Sequence, residues 1–404
     1  MSGTERLYYK DSHLTEFEAL VVEVTGRVSG WTGVTLDRTA FYPTGGGQPS
    51  DTGMLGGARV VECLDSEDES VLHLIQGRTP GVGEIVRCHV DWPRRLDHIQ
   101  QHTGQHILSQ AFIRLFQAET RSFRMMADVS EIDVALDDPT DERIEQAVEL
   151  ANSIIWEDRS IQIREVTNEE AAALPLRKDS AREGELRLIE IEDYDLSPCG
   201  GTHATRTGEV GIICVRSWER AKGLTRIEFM AGGRVLRDYA RVNKAARRTA
   251  ALFSVGRDEA AEAAARLLEE NKSLHRRLRS LEEIASRVEA DELLQQAEAR
   301  SDGTRLVRHI FDGRSQDALR QIALAVVQHP KTVALIASTE QDDARLVFAR
   351  SQDAPGNMNE LMREACALLD GRGGGRPEMA QGGGHNLEKL SEAIELAARK
   401  LSDS

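Results

Sequence analysis

The first part of the chain, residues 1–90, alternates apolar and polar positions over short stretches. Leu20–Val24 and Ala58–Cys63 are two examples, and glycine-rich turns separate them from their neighbours. A period of two is typical of β-strands that bury one face. Several short strands divided by glycines predict a small β-barrel.

Residues 91–240 mix helical and strand periodicity. Apolar residues recur at helical spacing through Arg94–Phe116 and Asp141–Trp156, and Thr140 stands where a helix cap is expected. Three apolar runs predict strands after the second helix: Ile161–Val166, Leu186–Ile191 and Val210–Val215. This region is therefore predicted to be α/β.

Residues 241–300 are rich in Ala, Leu and Glu, which favours helix. One set of residues repeats every seven positions and a second set lies between them: Leu267, Leu274, Leu281 and Val288, with Asn271, Leu278 and Ala285. This spacing predicts a short coiled coil. It would join either two chains or the two arms of a hairpin within one chain.

Residues 301–404 return to an α/β pattern. Thr332–Ala337 and Arg345–Ala349 are predicted strands, and Asn359–Leu369 is a predicted helix. Glycine clusters at 371–375 and 382–384 follow. Backbone amides without side chains, next to arginine, can bind a phosphate. The lysine and hydroxyl residue of a P-loop do not follow, so a nucleoside-triphosphate site is not expected. A flexible linker is the alternative.

Together these patterns predict an α+β chain of four parts. They are a β-barrel at 1–90, an α/β core at 91–240, a helical coiled-coil linker at 241–300 and an α/β domain at 301–404.

Composition narrows the class of protein. The 404 residues are 40% hydrophobic and 29% charged, and no apolar run reaches membrane-spanning length, so a globular protein without a membrane partner is expected. The net charge of −16 has the wrong sign for a simple nucleic-acid binder. Residues 216–250, however, hold ten Lys or Arg against three Asp or Glu. This stripe either holds phosphates or forms a solvated helix face.

The five cysteines are scattered and odd in number, which favours a reducing compartment and a cytoplasmic location. We predict that four of them are ordinary buried thiols: Cys63, Cys88, Cys214 and Cys366.

Two short motifs carry the strongest chemical signal. HTGQH at 102–106 places two histidines on one face of a predicted helix, and CGGTH at 199–203 adds a thiol and an imidazole across a tight turn. Three nitrogens and one sulfur suit tetrahedral zinc, so one Zn²⁺ per chain is predicted on His102, His106, Cys199 and His203. Two unrelated pairs are the alternative. His98, on the same stripe, either contacts the ligands or is exposed, and exposure is favoured.

A third motif, FYPTGGGQ at 41–48, contains three consecutive glycines. These allow the backbone to approach a ligand closely, with Gln48 and Asp51 nearby, or they form a plain hairpin loop.

The motifs together resemble the editing half of alanyl-tRNA synthetase and the free-standing alanyl-tRNA editing proteins of the long-form AlaX group. The resemblance rests on four segments in the family's order: 41–48, 102–106, 199–203 and 373–384. It implies a glycine-rich barrel, an editing core, a helical linker and a DHH-associated C-terminal domain. The segment before Phe41 is too short for an aminoacylation domain, so we do not expect a complete synthetase.

The resemblance implies a trans-editing hydrolase that cleaves the ester of tRNA(Ala) mischarged with serine or glycine. Zinc would either activate water or anchor the substrate. Thr39 would meet the serine hydroxyl, and Gln48 would contact the substrate or orient a loop. The C-terminal motif would bind tRNA through Arg372, Gly374, Gly375, Arg376, Gly383 and Gly384. A homodimer through the linker or the C-terminal domain is a further expectation.

Two other functions fit parts of the sequence. A noncatalytic tRNA-binding or dimerising subunit of a split alanyl-tRNA synthetase predicts a poor metal site, yet all four ligands are present. A DHH phosphoesterase fits the C-terminal domain and Asp97-His98, but the remainder of its catalytic run is absent. Hydrolysis of mischarged tRNA, the function that the resemblance implies, is therefore the one predicted.

Overall fold

The computed structural model of the chain describes residues 3–28, 30–174, 176–177, 186–340 and 342–402. The chain forms two compact units, Met1–Arg248 and Thr249–Ser404, and its class is α+β as predicted. The finer division at residues 90, 240 and 300 stays a prediction. Within the described ranges, no helix combines the length and apolar character that a membrane span requires.

The first unit begins with a closed six-stranded barrel, which confirms the prediction. The first eight strands are β1 (Glu5–Arg6), β2 (Glu16–Val28), β3 (Trp31–Leu36), β4 (Arg38–Thr39), β5 (Gly53–Leu55), β6 (Ala58–Asp65), β7 (Val71–Gln76) and β8 (Ile85–Val90). The barrel has the order β2-β3-β7-β6-β5-β8, and β1 pairs with β4 beside it. Every second residue of β8 is buried, as the alternating pattern requires.

The rest of the first unit is built around one long helix. Its elements are α1 (Trp92–Phe116), β9 (Thr120–Met125), β10 (Ser130–Val134), α2 (Asp141–Trp156), β11 (Ile161–Val166), α3 (Asn168–Ala172), β12 (Leu186–Ile191), β13 (Asp195–Pro198), β14 (Ile213–Ala221), β15 (Leu224–Ala231) and most of α4 (Gly233–Leu252). Helix α1 packs against α2 and the sheet β14-β15-β10-β9, while β11-β12-β13 form a second sheet.

Most of these elements lie where the sequence predicts them. The bounds of α2, β11 and β12 equal the predicted ones, and the Thr140 side chain accepts a hydrogen bond from the Arg143 amide as the predicted cap. The strand predicted at Val210–Val215 begins only at Ile213, because a 3-10 turn ends at Val210. Cys214, predicted to be buried, is exposed, because β14 is an edge strand that buries only its first residue.

A buried ion pair ties α1 to the glycine motif of the barrel. Arg95 and Asp51 are fully buried, and the Arg95 guanidinium also donates to the carbonyls of Ser12 (2.6 Å) and Ala40 (2.5 Å). Asp51 accepts in turn from the Tyr42 amide at 2.7 Å. Because both charges have several partners, the pair escapes much of the cost of burial and fixes where the motif lies relative to α1.

The second unit is a six-stranded sheet with helices on both faces. Its elements are α5 (Ala260–Gln295), β16 (Glu298–Ala299), β17 (Arg305–Asp312), α6 (Gln316–Val326), β18 (Thr332–Glu340), β19 (Asp343–Arg350), α7 (Met358–Leu368), β20 (Arg372–Arg376), β21 (Met379–Gly384) and α8 (Leu390–Lys400). The strand order is β16-β17-β18-β19-β21-β20. Helix α6 and the end of α5 cover one face, and α7 and α8 cover the other.

The predicted coiled-coil seam lies on α5. Three of its residues, Leu267, Leu274 and Leu281, are 52%, 65% and 58% exposed, although apolar side chains at such positions normally pack. Pairing of two chains through this seam stays a prediction, and sedimentation equilibrium would test it.

The two C-terminal glycine clusters form the paired strands β20 and β21. A Cβ atom at Gly373 or Gly382 would lie against the Cys366 sulfur of α7. The glycines therefore let a helix pack closely on a hairpin, which rules out the linker alternative.

Candidate metal centre

The two predicted ligand pairs lie together in the first unit. His102 and His106 project from one face of α1, and Cys199 and His203 belong to the loop after β13. One ligand atom from each of the four residues lies within 4.8 Å of all the others. The Cys199 sulfur is 3.4 Å from His102 Nε2 and 3.2 Å from His203 Nε2. The group can therefore hold one metal ion.

The second ring nitrogen of each histidine, Nδ1, contacts a polar side chain outside the group of four ligands, and this contact orients the ring. The Nδ1 contacts are His102 with Gln48 Oε1 at 2.7 Å, His106 with Asp195 Oδ2 at 3.1 Å, and His203 with Thr103 Oγ1 at 3.3 Å. An amide or carboxylate oxygen only accepts, so His102 and His106 carry their protons on Nδ1. Their Nε2 lone pairs then face the centre, as metal ligation requires.

Asp195 is the charged member of this outer set. Its carboxylate contacts Arg177 Nε at 2.9 Å and accepts from Ser197 Oγ at 3.0 Å, in addition to its bond with His106. Burial acts to raise the pKa of Asp195, but Arg177 and His106 outweigh it, so the pKa lies below its ordinary value. Asp195 therefore stays ionised and supports His106 as a ligand.

The protonation states suit a metal. Burial lowers the pKa of His203 to about 3, so its imidazole is neutral. Burial acts to raise the pKa of the Cys199 thiol, but the facing His102 and His203 rings outweigh it, and the net pKa lies well below the ordinary value. Neutral imidazole and thiolate are the forms that bind zinc.

Gly201 of the CGGTH loop leaves room for the imidazole ring of His102. A Cβ atom at Gly201 would overlap the His102 ring and lie 3.1 Å from Gln48 Oε1. Any side chain there would displace His102, which explains the residue type better than a general need for flexibility.

The glycine motif of the barrel delivers Gln48 to the centre. Gly45 and Gln48 exchange backbone hydrogen bonds of 3.0 and 2.9 Å in a tight turn, and Gly47 has a φ of 84°. The Met125 amide donates to the Gly47 carbonyl at 2.8 Å, which holds the turn against β9. Gln48 is 1% exposed and donates to Thr202 Oγ1 at 2.9 Å while its oxygen contacts His102.

A cavity of about 670 Å³ opens onto the centre. Three of the four ligand residues lie in its wall: His102, His106 and Cys199. The remaining wall is mostly polar and includes Arg6, Tyr9, Asp65, Arg121, Ser122, Arg177 and Arg187. A substrate group can therefore reach the metal position from solvent.

Thr39 lies away from this cavity. It is fully buried, and its hydroxyl contacts His73 Nε2 at 2.8 Å and accepts from the Phe41 amide at 3.1 Å. Its contact with the substrate stays a prediction, and these bonds favour a role in holding the strand. His98, predicted to be exposed, is 3% exposed, because α1 is covered on its polar face as well as its apolar one.

The predicted RNA-binding residues belong to the second unit and divide into two groups. Arg372, Gly383 and Gly384 line a cavity of about 580 Å³, whereas Gly374, Gly375 and Arg376 lie outside its wall. Their contact with tRNA stays a prediction.

Sequence reasoning missed the outer partners of the ligands. Thr103 stands inside the HTGQH motif and Asp195 stands four residues before Cys199. Neither position predicts a contact with a ligand histidine, because both contacts depend on the folded chain. Arg187 lies near the CGGTH loop because β12 pairs with β13, and Arg177 lies near it because its side chain donates to Ser197 of β13.

Three family profiles match the chain. They are described as tRNA synthetases class II (A), over residues 4–94, the threonyl and alanyl tRNA synthetase second additional domain, over 186–228, and the DHHA1 domain, over 302–403.

Relatives that align with nearly the whole of this chain agree with these matches. Alanyl-tRNA editing protein AlaX-L of Pyrococcus horikoshii is 33% identical over 406 residues, which cover 98% of each chain. Alanine–tRNA ligases of Pyrococcus abyssi and Halobacterium salinarum are 30% and 34% identical over 98% and 99% of this chain, but only 44% of each ligase is matched. The solved C-Ala domain of Aquifex aeolicus alanyl-tRNA synthetase is 34% identical over 24% of this chain and 92% of its own, with a TM-score of 0.24.

Proposed function

The chain belongs to the family of alanyl-tRNA editing proteins, and from this premise we propose that it hydrolyses the aminoacyl ester of mischarged tRNA(Ala). The observation that carries the proposal is the convergent group of three histidines and one cysteine, of which His102, His106 and Cys199 lie in the wall of an open polar cavity. A noncatalytic subunit could keep a structural zinc, but it would not need the zinc ligands to line an open cavity. We expect the reaction in the cytoplasm, as part of translation.

The four ligands would hold one Zn²⁺. Bound there, it would supply a Lewis acid at the cavity wall. The chain itself provides the rest: Gln48, Asp195 and Thr103 fix the three imidazoles, and Gly201 leaves the space that His102 occupies. The ester has to enter through the cavity, since this is where the ligands meet solvent.

Ser-tRNA(Ala) is the proposed main substrate, with Gly-tRNA(Ala) as a second. A synthetase cannot reject a smaller amino acid by size alone, and a polar editing site that bonds the serine hydroxyl rejects alanine. Purified protein is assayed on tRNA(Ala) charged with serine, glycine or alanine. We expect the seryl ester to be cleaved at least about a hundredfold faster than the alanyl ester.

A chelator-treated sample of the same protein is the control for metal dependence. Binding of all three tRNAs without hydrolysis of any would instead favour the noncatalytic subunit of a split synthetase.

Thr39→Val tests the proposed contact with the serine hydroxyl. If Thr39 meets that hydroxyl, seryl-ester hydrolysis falls by about ten- to a hundredfold and glycyl-ester hydrolysis hardly changes, because only serine loses a bond. The contacts with His73 and the Phe41 amide favour the other result, in which both esters respond alike. Measuring the two rate constants side by side decides between them, and an equal effect removes Thr39 from the recognition site.

The proposed tRNA contact in the second unit rests on Arg372 and Arg376. Both are exposed on β20, the edge strand of its sheet, and the structure gives neither a carboxylate partner among the described residues. Exposed, uncompensated guanidinium groups beside a hairpin can bind phosphate.

The double variant Arg372→Gln with Arg376→Gln should weaken tRNA binding and flatten its salt dependence. Each lost phosphate contact lowers the slope of log K against log salt by about 0.7–0.9. Arg320→Gln, which changes an exposed arginine of α6, is the matched control. Equal slopes for the wild type and the double variant would assign these arginines another role.

A further inference from the structure

Four arginines line the cavity of the first unit, and one differs from the other three. Arg6 pairs with Asp65, Arg121 with Glu119 and Arg177 with Asp195. The fourth is Arg187, and the described residues provide it with no carboxylate within ion-pair distance. Among the described residues of the cavity, its charge therefore has no anionic partner other than the metal-binding thiolate.

Arg187 is held in place by backbone oxygens. Its Nε donates to the Tyr9 carbonyl at 3.0 Å, and its Nη1 donates to the carbonyls of Cys199 and Gly201 at 2.7 and 3.0 Å. The guanidinium also lies 5.2 Å from the centre of the Tyr9 ring. The group is thus fixed beside the loop that carries two of the metal ligands.

The remaining nitrogen of the Arg187 guanidinium, Nη2, makes no hydrogen bond to the described residues. It is also buried. A buried donor without an acceptor is costly, more so on a charged group, and proteins rarely keep one without a reason. When a ligand with a strong acceptor enters the cavity, it can remove that cost.

We propose that Arg187 binds the 5′-phosphate of the terminal nucleotide of the substrate, next to the nucleoside that carries the ester. This inference rests on the proposed function and identifies how the RNA end is held. The ester has to reach the metal position, of which Cys199 is one ligand, and Arg187 donates to the Cys199 carbonyl, so the guanidinium lies near the ester. The phosphate of the terminal nucleotide is the nearest anion to an ester on its ribose, and guanidinium groups bind phosphate strongly.

The alternative is that Arg187 only clamps the CGGTH loop through its carbonyl bonds. A variant of Arg187 would then slow every substrate equally, whatever the substrate carries at its 5′ position. The test must therefore vary the enzyme and the substrate together.

Four combinations make the test: wild type and Arg187→Gln, each with the 2′(3′)-seryl ester of adenosine and of adenosine 5′-monophosphate. For the wild type, the phosphate is expected to raise kcat/KM by about tenfold or more, as charged hydrogen bonds do. For Arg187→Gln, this advantage should shrink to less than about twofold. Zinc content is measured for each protein, and Arg187→Lys serves as a second variant that keeps a cation if Arg187→Gln loses metal.

Arg114→Gln is the matched control. Arg114 also donates to two backbone carbonyls, those of Asp193 and Tyr194, and lies over a tyrosine ring, but it is absent from the cavity wall. It should keep the full advantage of the phosphate.

The outcomes separate the two claims. Wild-type hydrolysis of both esters at equal kcat/KM overturns the phosphate contact and leaves the proposed function standing. The same advantage in the wild type and in both Arg187 variants also overturns the contact. Failure of the wild type to cleave seryl-tRNA(Ala) contradicts the proposed function itself, whereas cleavage of seryl-tRNA(Ala) without cleavage of the adenosine 5′-monophosphate ester overturns the phosphate contact alone.

Discussion

Cys199→Ala and His106→Ala are each expected to lower zinc content and to slow hydrolysis of Ser-tRNA(Ala) by more than about a hundredfold. The loss of a ligand's outer partner already costs up to about a hundredfold in metal affinity or activity, and removal of the ligand itself should cost more. Both ligand atoms belong to the convergent group, so either change leaves an incomplete set. Metal analysis and single-turnover hydrolysis measure the two effects on the same samples.

Two matched variants control for the change in residue type. Cys214→Ala removes an exposed thiol from β14, and His275→Ala removes an exposed histidine from α5. Both should keep wild-type zinc content and rates. Full metal occupancy and full activity in Cys199→Ala and His106→Ala would contradict the assignment of the centre.

Asp195→Asn is expected to have the next largest effect. The carboxylate uses one oxygen for Arg177 Nε and the other for His106 Nδ1. Asparagine has a single acceptor oxygen, so one of these two donors loses its partner. We expect zinc affinity to fall by about 10- to 100-fold, or about 1.4–2.7 kcal/mol, as measured by competition with a chelator of known affinity.

Asp158→Asn is the control for this substitution. Asp158 also pairs with an arginine, Arg206, but stands outside the cavity, and its φ of 52° suits asparagine as well as aspartate. It should leave zinc affinity unchanged. An unchanged affinity in Asp195→Asn would show that the carboxylate does not support His106.

The four metal ligands were predictable because each pair is recognisable from residues that are close together in the sequence. Two histidines four residues apart share a helix face, and the glycines between Cys199 and His203 indicate a turn, so residue type and spacing were enough. Helix α2 was predictable for a related reason, since its periodicity and its Thr140 cap both lie within the segment itself.

The supports of the centre were not predictable, because they depend on contacts between distant segments. Gln48 reaches His102 across 54 positions, and Asp195 reaches His106 across 89. The closed barrel, the buried Arg95–Asp51 pair and the sheet that carries β13 bring these segments together.

Glycine was the residue type from which local structure was hardest to predict. The same residue type forms a tight turn at Gly45–Gln48, leaves space for a ligand ring at Gly201, and allows α7 to pack at Gly373 and Gly382. A missing side chain does not reveal which neighbour occupies its place. The interpretation of the C-terminal clusters as phosphate cradles therefore needs the tRNA-binding measurement.

The most direct test of the central claim is a zinc titration of hydrolysis. Protein stripped of metal is supplied with increasing Zn²⁺ and assayed on Ser-tRNA(Ala) under single-turnover conditions. The proposed function predicts no hydrolysis without metal, and a rate that rises to a plateau at about one Zn²⁺ per chain. Full hydrolysis by the metal-free protein, or no hydrolysis at any zinc content, would contradict it.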